Sequence, residues 1–310
     1  MTSAHAELND VRLLADGLAF PEGPIAMPDG SVVLVEIDAG LLVRIGPEGA
    51  DGADGAKEVI AETGGGPNGA AIGPDGAVYV CNNGAFRGAK PQRPSIQRVD
   101  LVTGEVSELY AEADGIALSA PNDIVFDAEG GFWFTDMKGN AILYARPDGS
   151  HIERVVDDAV TPNGVGLSPD GTELYWAQTY TRQLMRRRVV APGVIEPSPG
   201  VSIRALLRKG SIDPWSLVAG LPGATELDSL AVDSAGRVCI GGLVDSGIVV
   251  VDPSTGDWQI RRLPSQFADA AVTNICFGGP DLRTAYITAS ERGRLLAAQW
   301  DVPGQPLHFG

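Results

Sequence analysis

One pattern recurs six times along the chain and narrows the folds open to it more than any other feature. It is a polar residue, a short apolar run, a turn rich in Gly, Asp or Pro, and a second apolar run. The copies are "EGPIAMPDGSVVLVE" from Glu22, "NGAAIGPDGAVYVCN" from Asn68, "NDIVFDAEGGFWFTD" from Asn122, "NGVGLSPDGTELYWA" from Asn163, "DSLAVDSAGRVCIGG" from Asp228 and "NICFGGPDLRTAYIT" from Asn274. Their starts are separated by 46, 54, 41, 65 and 46 residues. A period of this length, built from short strands, points to a β-propeller, whose repeated unit is a small antiparallel sheet.

Two further strand-like runs follow most of these pairs. Examples are "GLLVRIG" with "KEVIAE", "SIQRVDL" with "VSELYAE", "AILYARP" with "IERVVDD", and "GIVVVDP" with "WQIRRLP". Runs of this kind, rich in β-branched residues and bounded by Gly and Pro, suit strands packed face to face. The last unit shows only three clear strands, ending at "RLLAAQWDV", while "DVRLLADGL" near the N-terminus is left over. The expectation is an all-β, six-bladed propeller of four-stranded blades. It forms one domain over residues 1–310, with the N-terminal strand closing the ring and covering the exposed edge of the last blade. Helical periodicity is confined to "VSIRALLRKG".

The charge balance, 23 Lys and Arg against 40 Asp and Glu, gives a net −17, which repels phosphate backbones and anionic lipid. Nucleic acid and membrane are therefore not expected as partners, and a small-molecule substrate is. The three cysteines, Cys81, Cys239 and Cys276, form no CxxC pair and lie in strand-like runs, as buried free thiols do. The opening "MTSAHAELNDVRLL" lacks a basic segment followed by an apolar one, and no apolar run is long enough to span a bilayer. The expected location is cytoplasmic.

In a propeller the first strand of each blade lines the central channel, so the six leading residues converge on one mouth. That ring is Glu22, Asn68, Asn122, Asn163, Asp228 and Asn274. Each could be no more than a turn residue. Together, six oxygen-bearing side chains, two of them carboxylates, are costly to desolvate without a partner. A hard cation such as Ca²⁺, Mg²⁺ or Mn²⁺ resolves that cost. The only histidines, His5, His151 and His308, lie outside the ring, which argues against a structural zinc site and a Ser-His-Asp triad. "TGGGPNGA" is glycine-rich but leads into a strand, so it is no phosphate loop.

Four motifs, "FPEGP" at Phe20–Pro24, "APNDIVFDAEGGFWFTD" at Ala120–Asp136, "TPNGVGLSPDG" at Thr161–Gly171 and "ELDSLAVDSAGRVCI" at Glu226–Ile240, appear in one order over nearly the whole chain. In this the chain resembles the SMP-30/gluconolactonase/luciferin-regenerating-enzyme family of six-bladed propellers. The resemblance implies one divalent cation, calcium foremost and zinc also possible, held by Glu22, Asn163 and Asp228, with Asn122 a further ligand or a substrate contact. It implies hydrolysis of a lactone or related ester, the cation polarising the carbonyl and Asp228 acting as general base or nucleophile. The chain departs from animal members at Ala120, where they carry a substrate-contacting arginine, so animal-type sugar-lactone specificity is not implied.

The loops between second and third strands emerge on the same face as the ring. They make Asp136 and Tyr180 candidate substrate contacts beside Asn68 and Asn122, with Arg87 more simply a solvated side chain. The insert from Ala191 to Asp213 falls between third and fourth strands and so on the opposite face. Arg186–Arg188 reads as a solvated strand face. Two alternatives compete with the lactonase: a phosphotriester hydrolase on the same cation, and a non-catalytic binding scaffold with a structural cation.

Overall fold

Each repeat reverses direction at an aspartate. Its carboxylate accepts the amide two residues on: Asp29 from Ser31 at 2.9 Å, Asp75 from Ala77 at 3.2 Å, Asp127 from Glu129 at 3.0 Å and Asp170 from Thr172 at 3.1 Å. Asp233 and Asp281 repeat the arrangement with Ala235 at 3.0 Å and Arg283 at 3.1 Å. These are Asx turns, which tighten the reversal without a partner from elsewhere in the chain. The computed structural model describes residues 5–47, 55–85, 90–197 and 217–309, and in it every turn joins the first two strands of one blade.

Six blade sheets result, beside a two-stranded ribbon of Glu112–Ala113 and Ile116–Ala117. Blade 1 is Pro21–Ala26, Val32–Glu36, Leu41–Ile45 and Lys57–Glu62. Blade 2 is Pro67–Ile72, Val78–Asn82, Ser95–Val99 and Val106–Tyr110, and blade 3 is Pro121–Phe126, Phe132–Asp136, Ala141–Ala145 and Ile152–Val156. Blade 4 runs Pro162–Leu167, Glu173–Gln178 and Gln183–Ala191. Blade 5 is Glu226–Val232, Val238–Leu243, Gly247–Val251 and Trp258–Arg262. Blade 6 contributes Val272–Gly278, Thr284–Ala289 and Arg294–Gln299. The first strands of successive blades touch one another all the way round, including the last against the first, so the sheets form a closed six-bladed propeller. Apolar side chains fill the wedges between blades. Trp133, Ile142 and Tyr144 of blade 3, for example, pack with Val165, Leu174 and Trp176 of blade 4.

The N-terminal strand closes the ring as expected. Asn9–Ala15 pairs antiparallel with Arg294–Gln299, Leu13 opposite Leu296. The chain then does something the sequence did not announce: His5–Glu7 adds a parallel fifth strand to blade 5, alongside Ile260–Arg262. Blade 4 also departs from four strands. Its third strand is long enough to pair with Leu217–Gly220 at one end and Val194–Ile195 at the other. The helix expected over "VSIRALLRKG" lies outside the described residues. Among those described, the only helical element is a 3₁₀ turn, Ser265–Phe267. All three cysteines are free; Cys81 and Cys239 are buried and Cys276 half-buried. No described helix is long and apolar enough to cross a membrane.

The channel has two different ends. At the end opposite the ring, the C-terminal segment crosses the mouth. Gly304 bridges to Asp233, the Gln305 amide donates to the Val232 carbonyl at 3.1 Å, and Gln305 Nε2 donates to the Ser168 carbonyl at 3.5 Å. Phe309 then stacks edge-on against Phe126 of blade 3, with centroids 5.9 Å apart. Between this strap and the inner strands lies a cavity of about 110 Å³, lined by Val125, Val165, Leu230, Ile275, Gln305 and Leu307 among others.

Candidate functional site

The leading residues sit at the second or third position of the inner strands, where the blades crowd closest. Gly23 turns with φ of +52°, and a Cβ there would lie 2.5 Å from the Asn68 carbonyl oxygen. A Cβ on Gly164 would lie 2.7 Å from both the Asp228 carbonyl oxygen and the Leu230 nitrogen. Only glycine admits that approach, and the approach is what gathers the side chains from separate blades.

Glu22, Asn122, Asn163 and Asn274 are buried, and Asn68 and Asp228 are half-buried at the mouth. Glu22 Oε2 accepts from Asn274 Nδ2 at 2.7 Å and from the Gly23 amide at 2.6 Å. Asn163 Nδ2 donates to Thr179 Oγ1 at 3.1 Å, and Ser229 Oγ donates to Asn163 Oδ1 at 3.5 Å. Asn122 Nδ2 faces the Met137 sulfur at 3.8 Å, while its Oδ1 is buried with no hydrogen-bond partner. Burial, first, and then the charge of Glu22 push the Asp228 carboxyl well above the usual range, opposed by a hydrogen bond from Asn163. Burial raises Glu22 as well, against the hydrogen bonds from Asn274, Gly23 and Thr273. The two carboxyl groups therefore share a poorly solvated space and disfavour each other's charge.

A third acid stands directly beneath. Asp123 follows Asn122 and is pushed up to about 7 by burial and by the charge of Glu22. Its Oδ1 accepts the Ile124 amide at 3.0 Å and its Oδ2 the Val165 amide at 3.1 Å. A further bond comes from the Leu230 amide, so one carboxylate ties the inner strands of blades 3, 4 and 5 together. Thr135 continues the tie: Oγ1 accepts from the Asp123 amide at 3.1 Å and donates to the Asn163 carbonyl at 2.6 Å. The repeat alignment did not single out Asp123, because the leaders of the other blades are followed by Gly, Ser or Ile. That break in the series was the available signal.

The remaining expected residues are placed less centrally. Asp136 is fully buried, and both its oxygens are taken by backbone: Oδ2 accepts from Ser119 at 2.8 Å, and Oδ1 from Ala120 at 2.7 Å and Gly139 at 3.0 Å. Three other second strands end the same way. Glu36 Oε1 accepts the Ala19 amide at 2.8 Å, Asn82 Oδ1 the Gly66 amide at 2.9 Å and Gln178 Oε1 the Val160 amide at 2.7 Å. Asp136 thus belongs to a series that pins the loop entering the inner strand in blades 1 to 4. Tyr180 is 60% exposed on the blade 4 loop whose neighbouring residue, Thr179, holds Asn163. Arg87 lies outside the described residues.

The donor set suits a hard cation. It offers two carboxylates that repel each other, an amide oxygen of Asn122 that nothing else satisfies, and the amide of Asn163, all oxygen chemistry. Among the described residues no three acid, histidine or cysteine side chains converge to hold an ion by themselves, so amide oxygens have to complete any such site.

A family model described as the SMP-30/gluconolactonase/LRE-like region matches residues 20–291. A gluconolactonase of Zymomonas mobilis is 25% identical over 90% of this chain and 79% of its own length. Among solved structures, a gluconolactonase from Xanthomonas campestris superposes with a TM-score of 0.72 at 20% identity, covering 96% of this chain and 98% of that one. A calcium-binding protein, regucalcin, from Agrobacterium tumefaciens superposes with a TM-score of 0.73 at 18% identity, covering 99% of each. The match covers all six inner strands and the ring they carry: the chain belongs to the SMP-30/gluconolactonase/LRE-like family.

Proposed function

We propose that the chain is a divalent-cation-dependent lactonase whose ion, Ca²⁺ foremost, is held at the ring by Glu22, Asn163 and Asp228, with Asn122 the fourth protein oxygen. The family and the gluconolactonase relatives support a lactonase-like hydrolase. The observation that carries the cation is the pairing of mutually repelling, poorly solvated Glu22 and Asp228 with an unpartnered Asn122 Oδ1 at one mouth. Bound there, a cation supplies polarisation of the lactone carbonyl and charge to offset the oxyanion.

The protein's own residues do the rest. Asp228, the more exposed of the two carboxylates, takes the proton of the attacking water as the oxygen adds to the carbonyl carbon. That proton then passes to the leaving ring oxygen, so the ester C–O bond breaks with no net proton released before the product acid ionises. Asn122 and Asn68 flank the mouth as polar contacts for the substrate. Tyr180, on the exposed loop, is a rim contact, and Asp136 acts indirectly by fixing the Ser119–Ala120 entry to Asn122.

A panel of lactones assayed after EDTA treatment, with each divalent cation added back, tests the reading. Turnover that disappears with EDTA and returns with Ca²⁺, Mg²⁺ or Mn²⁺ supports it. Undiminished turnover in EDTA, or faster turnover of phosphotriesters than of any lactone, overturns it.

A further inference from the structure

At the residue before each leader, blades 1 to 4 carry proline: Pro21, Pro67, Pro121 and Pro162. Blade 5 carries Leu227, and blade 6 carries Thr273. The exception is one of three hydroxyls gathered in blade 6. Thr273 Oγ1 lies 2.8 Å from Thr288 Oγ1 and 2.6 Å from Ser290 Oγ. Ser290 Oγ donates to the Pro21 carbonyl at 2.6 Å, and Thr288 Oγ1 to the Asn274 carbonyl at 3.4 Å. All three residues are at most 2% exposed. Thr273 favours the charged form of the Glu22 carboxylate, and Asn274 next to it donates to that carboxylate at 2.7 Å.

This cluster spans the one junction where the inner strand of the last blade meets that of the first. Glu22 approaches the ring from blade 1, but Asn274, which holds its carboxylate, and Ser290, which holds the Pro21 carbonyl just before it, come from blade 6. A threonine hydroxyl has one proton and two acceptor sites. With one proton each, the three hydroxyls form a chain: Thr288, sharing its proton with the Asn274 carbonyl, donates to Thr273, Thr273 to Ser290, and Ser290 to the Pro21 carbonyl. The backbone carbonyl immediately before Glu22 is thereby tied to blade 6 through Thr273. The amide of Asn274 is fixed likewise, its Oδ1 accepting the Ile275 amide at 2.8 Å. Asn274 is thus engaged within the protein at both ends, unlike Asn122, and acts as a clamp rather than a ligand.

We infer that Thr273, backed by Thr288 and Ser290, is a positioning residue that orients Glu22 across the blade 6–blade 1 seam for cation binding. The inference rests on the cation site proposed above. Supporting groups of this kind, one bond removed from the metal, set its affinity by fixing the ligand's direction.

The test measures the dissociation constant for Ca²⁺ by calorimetry, or for Tb³⁺ by luminescence, together with the melting temperature of each metal-free protein. Wild type and Glu22→Gln come first: a signal lost in Glu22→Gln belongs to the ring. Thr273→Val, which keeps the shape and removes the hydroxyl, is expected to weaken cation binding by roughly tenfold or more. Thr273→Ser restores a hydroxyl and should restore the affinity. Ser290→Ala, expected to weaken binding less, replaces Thr273→Val if that variant does not fold. A merely structural threonine would lower the metal-free melting temperature and leave the affinity of the folded protein unchanged. Affinity within twofold of wild type in both Thr273→Val and Ser290→Ala overturns the inference while leaving the cation site standing. Absence of a Glu22-dependent signal in wild type removes the cation site itself, and the inference with it.

Discussion

Among single residues, Asp228 separates chemistry from ligation most cleanly. An asparagine there keeps the shape and an oxygen for the metal but accepts no proton. Asp228→Asn, assayed at saturating cation, is expected to lose about a hundredfold or more in lactone turnover, the usual scale for a lost general base. Near wild-type turnover in the metal-loaded variant would make Asp228 a ligand only. Gly164 tests the crowding that assembles the ring. Its added Cβ would stand 2.7 Å from backbone of blade 5, so Gly164→Ala should destabilise by about 1–3 kcal/mol, read as an earlier urea midpoint. The leaders were legible because each opens an identical strand–turn–strand phrase. Asp123 was not, because its partners Val165 and Leu230 lie on other blades and no local spacing relates them. Asp136 was legible as a mouth residue but not in its bonding. The clue was there in Glu36, Asn82 and Gln178, which hold the same place at the ends of other second strands.

Strands and their seams obey a different logic, because here the edges matter. Leu8 is buried in a core on which Val11 and Leu13 pack, and Leu14 is buried in a second one, with Leu34 and Val43 of blade 1. Deleting residues 1–15 strips the outer strand from blade 6 and the parallel addition from blade 5. At about 1.5–3 kcal/mol per buried leucine, the melting temperature should fall by about 10 °C or more, with loss of soluble yield. An unchanged melting temperature would refute the closure. The antiparallel strand could be read from "DVRLLADGL" because that run is apolar and without a mate. The parallel strand His5–Glu7 could not, since three residues carry no periodicity. Asp301 forms a second staple, bonded by Arg261 and Arg237 of blade 5, while its own backbone carbonyl accepts from Arg283 of the blade 6 turn. The Arg261 bond, joined by Arg237, holds the Asp301 carboxyl well below the usual range. A lowered pKa stabilises the fold above the unfolded value of about 4, and that contribution fades as pH falls towards the folded one. Asp301→Asn should therefore lower the melting temperature by about 2 °C at neutral pH, a half-exposed pair being worth about 1 kcal/mol or less. The gap to wild type should narrow steadily below pH ~4; a gap that widens on acidification would contradict the staple.

At the scale of the whole molecule, a cation bound at the ring as proposed should register in global stability. Calcium at a hundred times its dissociation constant adds about 2.7 kcal/mol, which should raise the melting temperature by about 5 °C and be reversed by EDTA. Calcium without effect on melting would leave the ring without its ion. The strap of residues 303–309 bears on traffic instead. With Gln305 fastened to blades 4 and 5 and Phe309 lodged on blade 3, the propeller is a cup and not a pipe. A substrate taken at the ring mouth, as proposed, has to leave by the same doorway. On the proposed lactonase reading the opened acid and the next lactone share one opening, so added product is expected to raise the apparent KM for the lactone.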